Sequence, residues 1–272
     1  MLGATQPPGT LPRNGATVRV PVDFAGALDP VHGRRRPPSC RDTTRVVATK
    51  KSGTRALEEL PAYAIPRAAQ IVRLSPSTLR LWTIGHEAHR PLFAVSSRRP
   101  PLLSFSNLTE AFVLASMRRV HGISMQKVRR ALLFVGRELG YERPLIHAKF
   151  QTDGVSLFAE HAGRLLDVSA TGQAALRQVL DASLRRIEWE HDFPVRLYPW
   201  VRAETDAAQP KTIVVDPRRG FGQPTIAGTG IEARIVAQRH RAGDSIAELA
   251  EDYRVDLEHI EDAIRCETRE AA

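Results

Sequence analysis

The chain has 272 residues, 42% of them hydrophobic, which is enough apolar material for one large core or several smaller ones. It has only two cysteines, which lie far apart and argue against a disulfide framework or a cysteine-based zinc site. We see neither an apolar stretch of about 18 residues nor a secretory signal, so we expect a cytoplasmic protein without a membrane span. The net charge of +9 favours a polyanionic partner, most simply nucleic acid, although a basic surface can also serve solubility alone.

Residues 1–58 differ in composition from the rest of the chain. They are rich in Pro, Gly and Arg, show no sustained hydrophobic period, and carry ten basic residues against four acidic ones. A segment of this kind cannot bury a core, so the composition predicts a disordered basic tail. The alternative is that the natural chain starts later and that this stretch comes from a misassigned start.

The segment 59–142 is predicted to begin with two short helices. The first covers Pro66–Val72, and a tight turn then separates it from a second helix that begins at Pro76. Proline fits at the first helical position, where its missing N–H is not needed, and Ser75 can cap the helix. Leu79 and Trp82 are then expected to point to a core.

This arrangement is typical of the helix-turn-helix units that read DNA. Ser77, Arg80 and Ile84 are predicted to face away from the core, with Thr78 at the edge of that face. Between Pro61 and Pro100 there are six arginines and a single glutamate, so the surroundings suit phosphate. The alternative is a helical hairpin that only packs. The residues that we predict to contact DNA are Arg67, Arg73, Ser75, Ser77, Thr78 and Arg80.

The stretch RLSPSTLRLW at 73–82 resembles the DNA-reading end of MerR-like regulators. Their short first helix is followed by a Ser/Thr-rich second helix that ends in Leu-Arg-x-Trp. The resemblance implies a winged helix, and the segments PLFAV at 91–95 and PPLLSF at 100–105 could supply the β-hairpin of the wing. Two longer helices are predicted to complete this segment, one opened by Asn107 with Glu110 and one between Ser124 and Gly140.

Residues 143–200 are predicted to form an α+β connector. Ile146, Ala148 and Phe150 alternate as in a strand, and Asp153-Gly154 is a strong hairpin signal. The further elements that we predict here are strands at Val155–Ala159 and Arg164–Val168, a helix at Gln173–Trp189 and a strand at Phe193–Trp200.

Residues 212–272 follow a polar linker at 201–211 and are predicted to form a separate unit of two short strands and three helices. The predicted helices are Ile231–Arg241, Ser245–Tyr253 and Leu257–Arg265. From Ile231 onward there are eleven acidic residues and six basic ones, so phosphate would repel this surface. We therefore interpret it as a protein-contacting surface, although a solvated acidic face is an equal alternative.

For the whole chain the expected fold is mainly α with small β-hairpins. It consists of a winged-helix or MerR-like helix-turn-helix, the central α+β segment, and a C-terminal β-hairpin with a three-helix, helix-turn-helix-like domain.

The C-terminal unit carries the most specific family pattern. The positions concerned are Ile213, Val215, Asp216, Pro217, Gly222, Pro224, Ile226, Gly228, Thr229, Ile231, Gly243, Ser245, Glu248, Ala250 and Tyr253. Together they resemble a small family of antitoxin-type domains. Gln223 and Gly230 depart from the pattern, which has Lys and Arg there, and this puts the contact of that Arg in doubt.

With its MerR-like front, the chain from about residue 58 onward resembles the longer VapB-type antitoxins. The resemblance implies a VapC toxin as partner, that is, a PIN-domain ribonuclease with an acidic metal site, and repression of the shared promoter by binding to an operator. We also expect a homodimer, joined by strand pairing around Ile213–Val215. The residues predicted to contact the toxin or the second copy are Ile213, Val215, Ile231, Arg234, Ile235, Arg239, Arg241 and Ile260.

Catalytic chemistry finds little support in the sequence. His86 and His89 have no third ligand nearby, and the cluster at 188–192 is better explained as a charged helix end than as a cation site. The glycines at 220–230 match no phosphate-binding loop. We therefore predict no enzyme activity, no catalytic residue, no metal and no cofactor. The alternatives that stay open are an effector-responsive regulator without a toxin, and an enzyme that uses the central β-rich part.

Overall fold

The computed structural model describes residues 57–86, 90–118, 124–166, 170–202 and 210–268. Nearly all of the predicted basic tail and most of the predicted linker therefore lie outside the described residues. Residues from Ser52 onward group into one unit by their backbone contacts, and all described residues belong to it. In these ranges no helix is both long enough and apolar enough to cross a membrane.

The described part of the chain is mainly helical. The helices are α1 (Ile65–Val72), α2 (Pro76–Thr83), α3 (Phe105–Arg118), α4 (Met125–Leu139), α5 (Val155–Leu166), α6 (Ala170–Leu184), α7 (Ala233–Ala242), α8 (Ile246–Tyr253) and α9 (Leu257–Thr268). The strands are β1 (Tyr63–Ala64), β2 (Ser97–Arg98), β3 (Pro101–Leu103), β4 (Ile187–Glu190), β5 (Phe193–Leu197), β6 (Ile213–Val215) and β7 (Pro224–Ile226). They form two antiparallel sheets, ordered β1-β3-β2 and β4-β5-β6-β7. The prediction of a mainly helical fold with small hairpins is thus confirmed.

Local signals set the limits of the two short helices. Arg73 ends α1 in the left-handed conformation (φ 58°), and its N–H bonds to the last carbonyls of that helix. Ser75 caps α2 by accepting a hydrogen bond from the Thr78 N–H (3.3 Å), and Pro76 occupies the first turn. The break between the helices therefore lies where the sequence predicts it.

Helix α3 lies at the centre of the main core. Its residues from Phe105 to Met117 are all buried, and Leu79 and Trp82 of α2 pack in the same cluster, as predicted. The helix begins at Phe105 and not at Asn107, because Ser104 precedes it and exchanges hydrogen bonds with Asn107. Of the two segments from which a wing was predicted, only 100–105 contains a strand, β3. No strand lies at 91–95, and β3 pairs instead with β2 at Ser97–Arg98 and with β1.

The prediction of strands and a hairpin between 146 and 166 is wrong. This stretch holds a 3-10 turn at Pro144–Ile146, a π-type turn at Phe150–Gly154 and α5. Gly154 does not adopt the positive φ that a hairpin turn would need. A side chain there would lie 2.6 Å from the ring of Phe150, so the glycine provides room for packing. The buried residues of α5 recur at helical spacing: Val155, Phe158, Ala159 and Ala162.

The long helix predicted for Gln173–Trp189 is also wrong at its C-terminal end. Helix α6 ends at Leu184, and β4 and β5 form a hairpin through His191 and Asp192, both at positive φ. Arg186 lies between helix and hairpin, and its guanidinium donates to the Tyr198 carbonyl at 3.0 Å. This contact stabilises the change of direction. The strand predicted from Phe193 is confirmed as β5.

The C-terminal elements match the prediction, but they are not a separate unit. Strand β6 pairs with β5 (Leu197 opposite Val215) and with β7 (Ile213 opposite Ile226), so one sheet crosses the predicted boundary at 201–211. Helices α7, α8 and α9 follow. They enclose a second core that includes Trp200, Ile213, Val236, Leu249 and Ile260.

Candidate functional site

The outer face of α2 carries the predicted DNA-contacting residues that are exposed. Ser77 and Arg80 are exposed together with Leu81 and Ile84. Among the described residues, the Arg80 side chain has no hydrogen-bond or ion-pair partner. A free guanidinium on a capped helix is a group that can reach a phosphate or a base edge.

Arg118, at the end of α3, adds a second cation to this face. Its Nη1 donates to the Thr78 hydroxyl at 2.9 Å, which places a guanidinium beside the first turn of α2. Sequence reasoning missed Arg118, because its place beside Thr78 depends on where α3 ends. We call the exposed surface of Ser77, Thr78, Arg80 and Arg118 the basic α2 face.

Arg67, also predicted to contact DNA, is directed instead against α9. Its Nη1 and Nη2 each lie 2.9 Å from a carboxylate oxygen of Glu267 in α9, and its Nε donates to Gln223 at 2.9 Å. Nη1 also donates to Gln70 at 2.7 Å. The side chains of Arg67 and Glu267 are only 20% and 4% exposed. These contacts occupy all three nitrogens of the guanidinium, which leaves Arg67 unsuited to a contact with DNA.

Arg73 is turned inward as well. Its guanidinium carbon lies 4.1 Å from the ring centre of Trp200, in a cation–π contact. The nearby Cys266 thiol has its pKa raised to about 12, because burial disfavours the thiolate. Two of the predicted DNA contacts therefore join the first helices to the C-terminal elements.

Gln223 and Gly230, the two departures from the family pattern, have distinct surroundings. The Gln223 side-chain oxygen accepts a hydrogen bond from Arg67. Lysine has no acceptor, so it could not make this contact. Gly230 has φ 82° and would place a side chain in open space, which means that an arginine there would reach solvent at the cost of backbone strain.

Phe221 is a further exposed group that sequence reasoning missed. Its side chain is 93% exposed, and its backbone lies in the left-handed region (φ 52°) between Gly220 and Gly222. The Gly222 carbonyl accepts a hydrogen bond from the Tyr63 hydroxyl at 2.8 Å, and a side chain at Gly222 would come within 2.3 Å of that hydroxyl. The turn is therefore fixed to the protein and presents an aromatic ring to solvent. The signal in the sequence is the phenylalanine between two glycines, Gly220 and Gly222.

The residues predicted to contact a toxin or a second copy fall into two groups. Ile213, Val215 and Ile260 are fully buried within the chain. The others lie at or near the surface: Ile231, Arg234, Ile235, Arg239 and Arg241. Arg239 bonds to Asp244 and Asp252 at 2.6 Å, and it lies over the Tyr253 ring.

Strand pairing between two copies through Ile213–Val215 conflicts with the sheet. Both edges of β6 are already paired, one with β5 and the other with β7. A second chain could add to β6 only by displacing one of them. The exposed residues of α7 remain the predicted contact surface, and Ile235 is its exposed apolar residue.

The acidic residues of α9 are not all solvated. Asp262 is fully buried, and it accepts hydrogen bonds from the Arg202 guanidinium (2.9 Å) and the Thr212 hydroxyl (2.7 Å). Glu258 stays exposed beside Arg202 (3.2 Å). The buried Asp262 therefore ties both ends of the predicted linker to α9, through Arg202 near its start and Thr212 just after its end.

The polar cluster at 188–192 is arranged for charge pairing. Arg196 bonds to Glu188 (3.0 Å) and to Asp216 (2.9 Å), and the Tyr198 hydroxyl donates to Glu188 at 2.7 Å. Burial opposes ionisation of Glu188, but the hydrogen bonds from Tyr198 and Arg196 hold its pKa below the ordinary value. The described residues contain no group of three or more His, Cys, Asp or Glu placed to hold a metal ion. His89 lies outside them.

Comparison with known proteins gives three similarities. Residues 213–265 match a family described as "Protein of unknown function (DUF433)". A Mycobacterium tuberculosis protein named "Putative antitoxin VapB45" is 28% identical over 233 residues, which cover 76% of this chain and 93% of the relative. "Uncharacterized protein Rv2308" of the same organism is 26% identical over 211 residues, covering 74% of this chain and 88% of that protein.

The fold also has a solved counterpart. A crystal structure of Rv2018 from Mycobacterium tuberculosis superimposes with a TM-score of 0.58 at 22% identity, and the match covers 75% of this chain and 98% of that one. The chain therefore shares its fold with a solved protein, and over three quarters of its length it is similar to a protein that carries an antitoxin name.

Proposed function

We propose that this protein is the antitoxin of a type II toxin–antitoxin pair, that it neutralises a VapC-type PIN-domain ribonuclease, and that it represses its own promoter. The role is not enzymatic. The observation that carries the proposal is the separation of charge: a basic, exposed α2 face near the start of the unit, and an acidic α8–α9 region near its end. One chain can then bind DNA and a protein through different surfaces.

The promoter-binding part of the proposal rests on the basic α2 face. An N-capped helix with exposed Ser77 and Arg80 offers hydrogen-bond donors, and Arg118 beside Thr78 adds charge for the phosphate backbone. We propose that α1 and α2 act as a helix-turn-helix in which α1 supports and α2 reads. A homodimer would present two such faces to a palindromic operator.

The toxin-binding part rests on the antitoxin name of a relative that matches along 93% of its length. Surface chemistry supports a protein contact at the C-terminal end. Phe221 is an exposed aromatic residue on a turn that Tyr63 fixes, and aromatic residues commonly anchor interfaces. Ile235, Arg234 and Arg241 on α7 add an apolar residue and two cations, which suit a partner with an acidic site.

Co-expression with the product of the adjacent gene tests the proposal. The tagged chain should retain that product through purification, inhibit its ribonuclease activity, and shift a fragment of its own promoter but not a scrambled fragment. A neighbour that is neither retained nor inhibited would contradict the antitoxin role. The promoter shift tests the repressor role independently of the toxin-binding role.

Phe221→Ser tests whether this residue anchors the contact with the toxin. It should reduce retention of the neighbour about tenfold or more, because an interface anchor has been removed, while leaving promoter binding and thermal stability nearly unchanged, because the ring is exposed. Equal retention by variant and wild type would exclude Phe221 from the interface.

A second candidate function is an effector-responsive regulator without a toxin. It is favoured by a cavity between α3, α4 and the segment 90–94, in which Leu92 bonds through its backbone to the end of α2. The enzyme alternative required a β-rich pocket in residues 143–200, and we do not carry it further because residues 150–166 are helical.

A further inference from the structure

A cavity of about 480 Å³ lies between α3, α4 and the segment 90–94. This volume falls within the range usual for small-molecule sites. Its walls are mostly apolar and include Leu92, Phe93, Leu114, Leu132 and Leu145. We call it the α3–α4 cavity. The apolar walls suit the hydrocarbon body of a ligand.

At one end of the cavity the charges are already matched. Arg143 donates to Glu110 at 2.7 Å and to Glu59 at 3.1 Å, so its guanidinium is held between two carboxylates. Glu110 is buried, and burial raises the pKa of its carboxyl although Arg143 opposes the shift. Glu142 lies at the rim and is exposed. This end therefore has no cation to offer a ligand.

Two arginines at the other end are differently placed. Arg90 and Arg129 both line the cavity, and Arg129 donates through Nη2 to the carbonyls of Arg90 and Pro91. Among the described residues, neither the Arg90 guanidinium nor Nε and Nη1 of Arg129 has a hydrogen-bond partner. Burial, and then the charge of Arg90, lowers the pKa of Arg129. An anion bound between the two guanidiniums would relieve their repulsion.

We propose that the α3–α4 cavity binds a small apolar carboxylate. The hydrocarbon body lies against Leu92, Phe93 and Leu132, and the carboxylate accepts hydrogen bonds from Arg129 and Arg90. A cationic ligand is disfavoured by the two arginines. A neutral ligand of the same shape gains the apolar contact but loses the charge-assisted hydrogen bonds.

A backbone hydrogen bond connects the cavity to α2, the helix that carries the basic α2 face. The Leu92 N–H donates to the carbonyl of Trp82, at the end of α2, with a distance of 2.6 Å. Leu92 and Phe93 also pack against the main core, which contains Leu79 and Trp82. A ligand that moves Leu92 therefore acts on the position of α2. This consequence for DNA rests on the proposed function, whereas ligand binding itself does not.

Calorimetric titration of the full chain tests the site with octanoate as the probe. 1-Octanol and octylammonium share the alkyl body and change the head group to a neutral and a cationic one. Octanoate should bind at least about tenfold more tightly than 1-octanol, which corresponds to one or two charge-assisted hydrogen bonds. Octylammonium should bind most weakly. Absence of octanoate binding, or equal binding of octanoate and 1-octanol, overturns the proposal.

Three variants localise the binding. Arg129→Gln should weaken octanoate about tenfold and leave 1-octanol unchanged. Arg130→Gln is the control, because Arg130 is exposed on the same helix and does not line the cavity. Leu132→Trp should abolish binding of both compounds by filling the cavity, with folding checked by circular dichroism. If Arg129→Gln behaves like Arg130→Gln, or if the filled variant still binds octanoate, the site is not this cavity.

Promoter binding with and without octanoate gives a separate result. A change in affinity for the wild type that is lost in Leu132→Trp shows coupling between the cavity and α2. Titration does not require DNA, so the cavity assignment stands or falls independently of the regulatory role.

Discussion

The helix pairs α1–α2 and α8–α9 are built on the same local plan. In each, an arginine in the left-handed conformation ends the first helix, at Arg73 (φ 58°) and Arg254 (φ 54°). The next residue also bonds back, from Leu74 to the Ala69 carbonyl and from Val255 to the Ala250 carbonyl. Two N–H groups thus satisfy the free carbonyls at the helix end, which is how a left-handed cap works. The shape of the turn therefore does not distinguish the two pairs.

Charge and exposure do distinguish them. From Ile65 to Thr83 there are three arginines and no acidic residue, whereas Ile246–Thr268 has eight acidic residues and two basic ones. Helix α2 exposes Arg80, but α9 buries Asp262 and directs Glu267 into the protein. The comparison teaches that one turn geometry can carry a free, basic outer face or a largely paired, acidic one, and only the first has charge that suits DNA.

The largest loss of stability is expected from a substitution at the contact between the two helix pairs, where Arg67 of α1 meets Glu267 of α9. Glu267→Ala removes the carboxylate from a mostly buried pair and leaves the Arg67 charge uncompensated, so it should lower the free energy of unfolding by about 3 kcal/mol. Glu261→Ala is the matched control in the same helix. Its pair with Arg265 is more exposed, and its loss should cost at most about 0.5 kcal/mol. Urea denaturation measures both, and equal losses would mean that the contact between α1 and α9 contributes little.

The second largest effect is expected on the affinity of α2 for the promoter. Arg80→Ala should weaken promoter binding by about 2 kcal/mol and relax the base preference at one position, because an exposed guanidinium on the reading face is lost. Arg265→Ala removes the same charge from the acidic pair and should leave promoter binding nearly unchanged. Fluorescence anisotropy at fixed salt gives both affinities. A uniform loss on all sequences would reassign Arg80 to phosphate contact, and no loss would remove α2 from the interface.

Helix capping gives a smaller difference between the pairs. Ser245 and Glu248 form a reciprocal capping box at α8, with bonds of 3.2 and 2.8 Å, whereas Ser75 caps α2 through a single backbone contact of 3.3 Å. Ser245→Ala should therefore cost about 1 kcal/mol and Ser75→Ala about 0.5 kcal/mol. Thermal unfolding of the two variants compares them. A larger loss for Ser75→Ala would show that α2 depends more on its cap than α8 does.

The smallest effect is a dependence on pH that only the acidic pair should show. The backbone N–H of Ser245, followed by its side chain, holds the pKa of Glu248 below its ordinary value of 4.5. A carboxyl with a lowered pKa in the folded state stabilises the fold above its unfolded pKa, and this contribution disappears as the pH falls through the folded value. The difference in stability between wild type and Glu248→Gln should therefore shrink below pH 4.5. A difference that stays constant between pH 7 and pH 3 would contradict this assignment.

The helix pairs could be predicted from the sequence because their signals are local. Ser75-Pro76 specifies a helix start without reference to the rest of the chain, and Gly140 specifies a helix end in the same way. The error at 146–166 has a local cause too. Three alternating apolar residues followed by Asp153-Gly154 match a hairpin, yet the same residues fit a helix, and packing between α4 and α6 selects the helix.

The candidate site was less predictable, because contacts with residues far along the chain decide which of its arginines stay exposed. Arg67 and Arg73 look like Arg80 in the sequence, and only the fold directs them towards Glu267 and Trp200. No periodicity relates residues that lie 200 positions apart. The exposed residues of α2 followed from helical geometry, whereas Arg118 required knowledge of where α3 ends.

The separation of Arg67 and Glu267 by 200 residues also has a consequence during synthesis. Ribosomes add about 5–20 residues per second, so roughly 10–40 s pass between the appearance of Arg67 and that of Glu267. During this interval the guanidinium cannot meet its carboxylate. Nascent chains therefore carry a more basic first helix pair than finished ones, and they should adhere to polyanions more strongly until translation has passed α9.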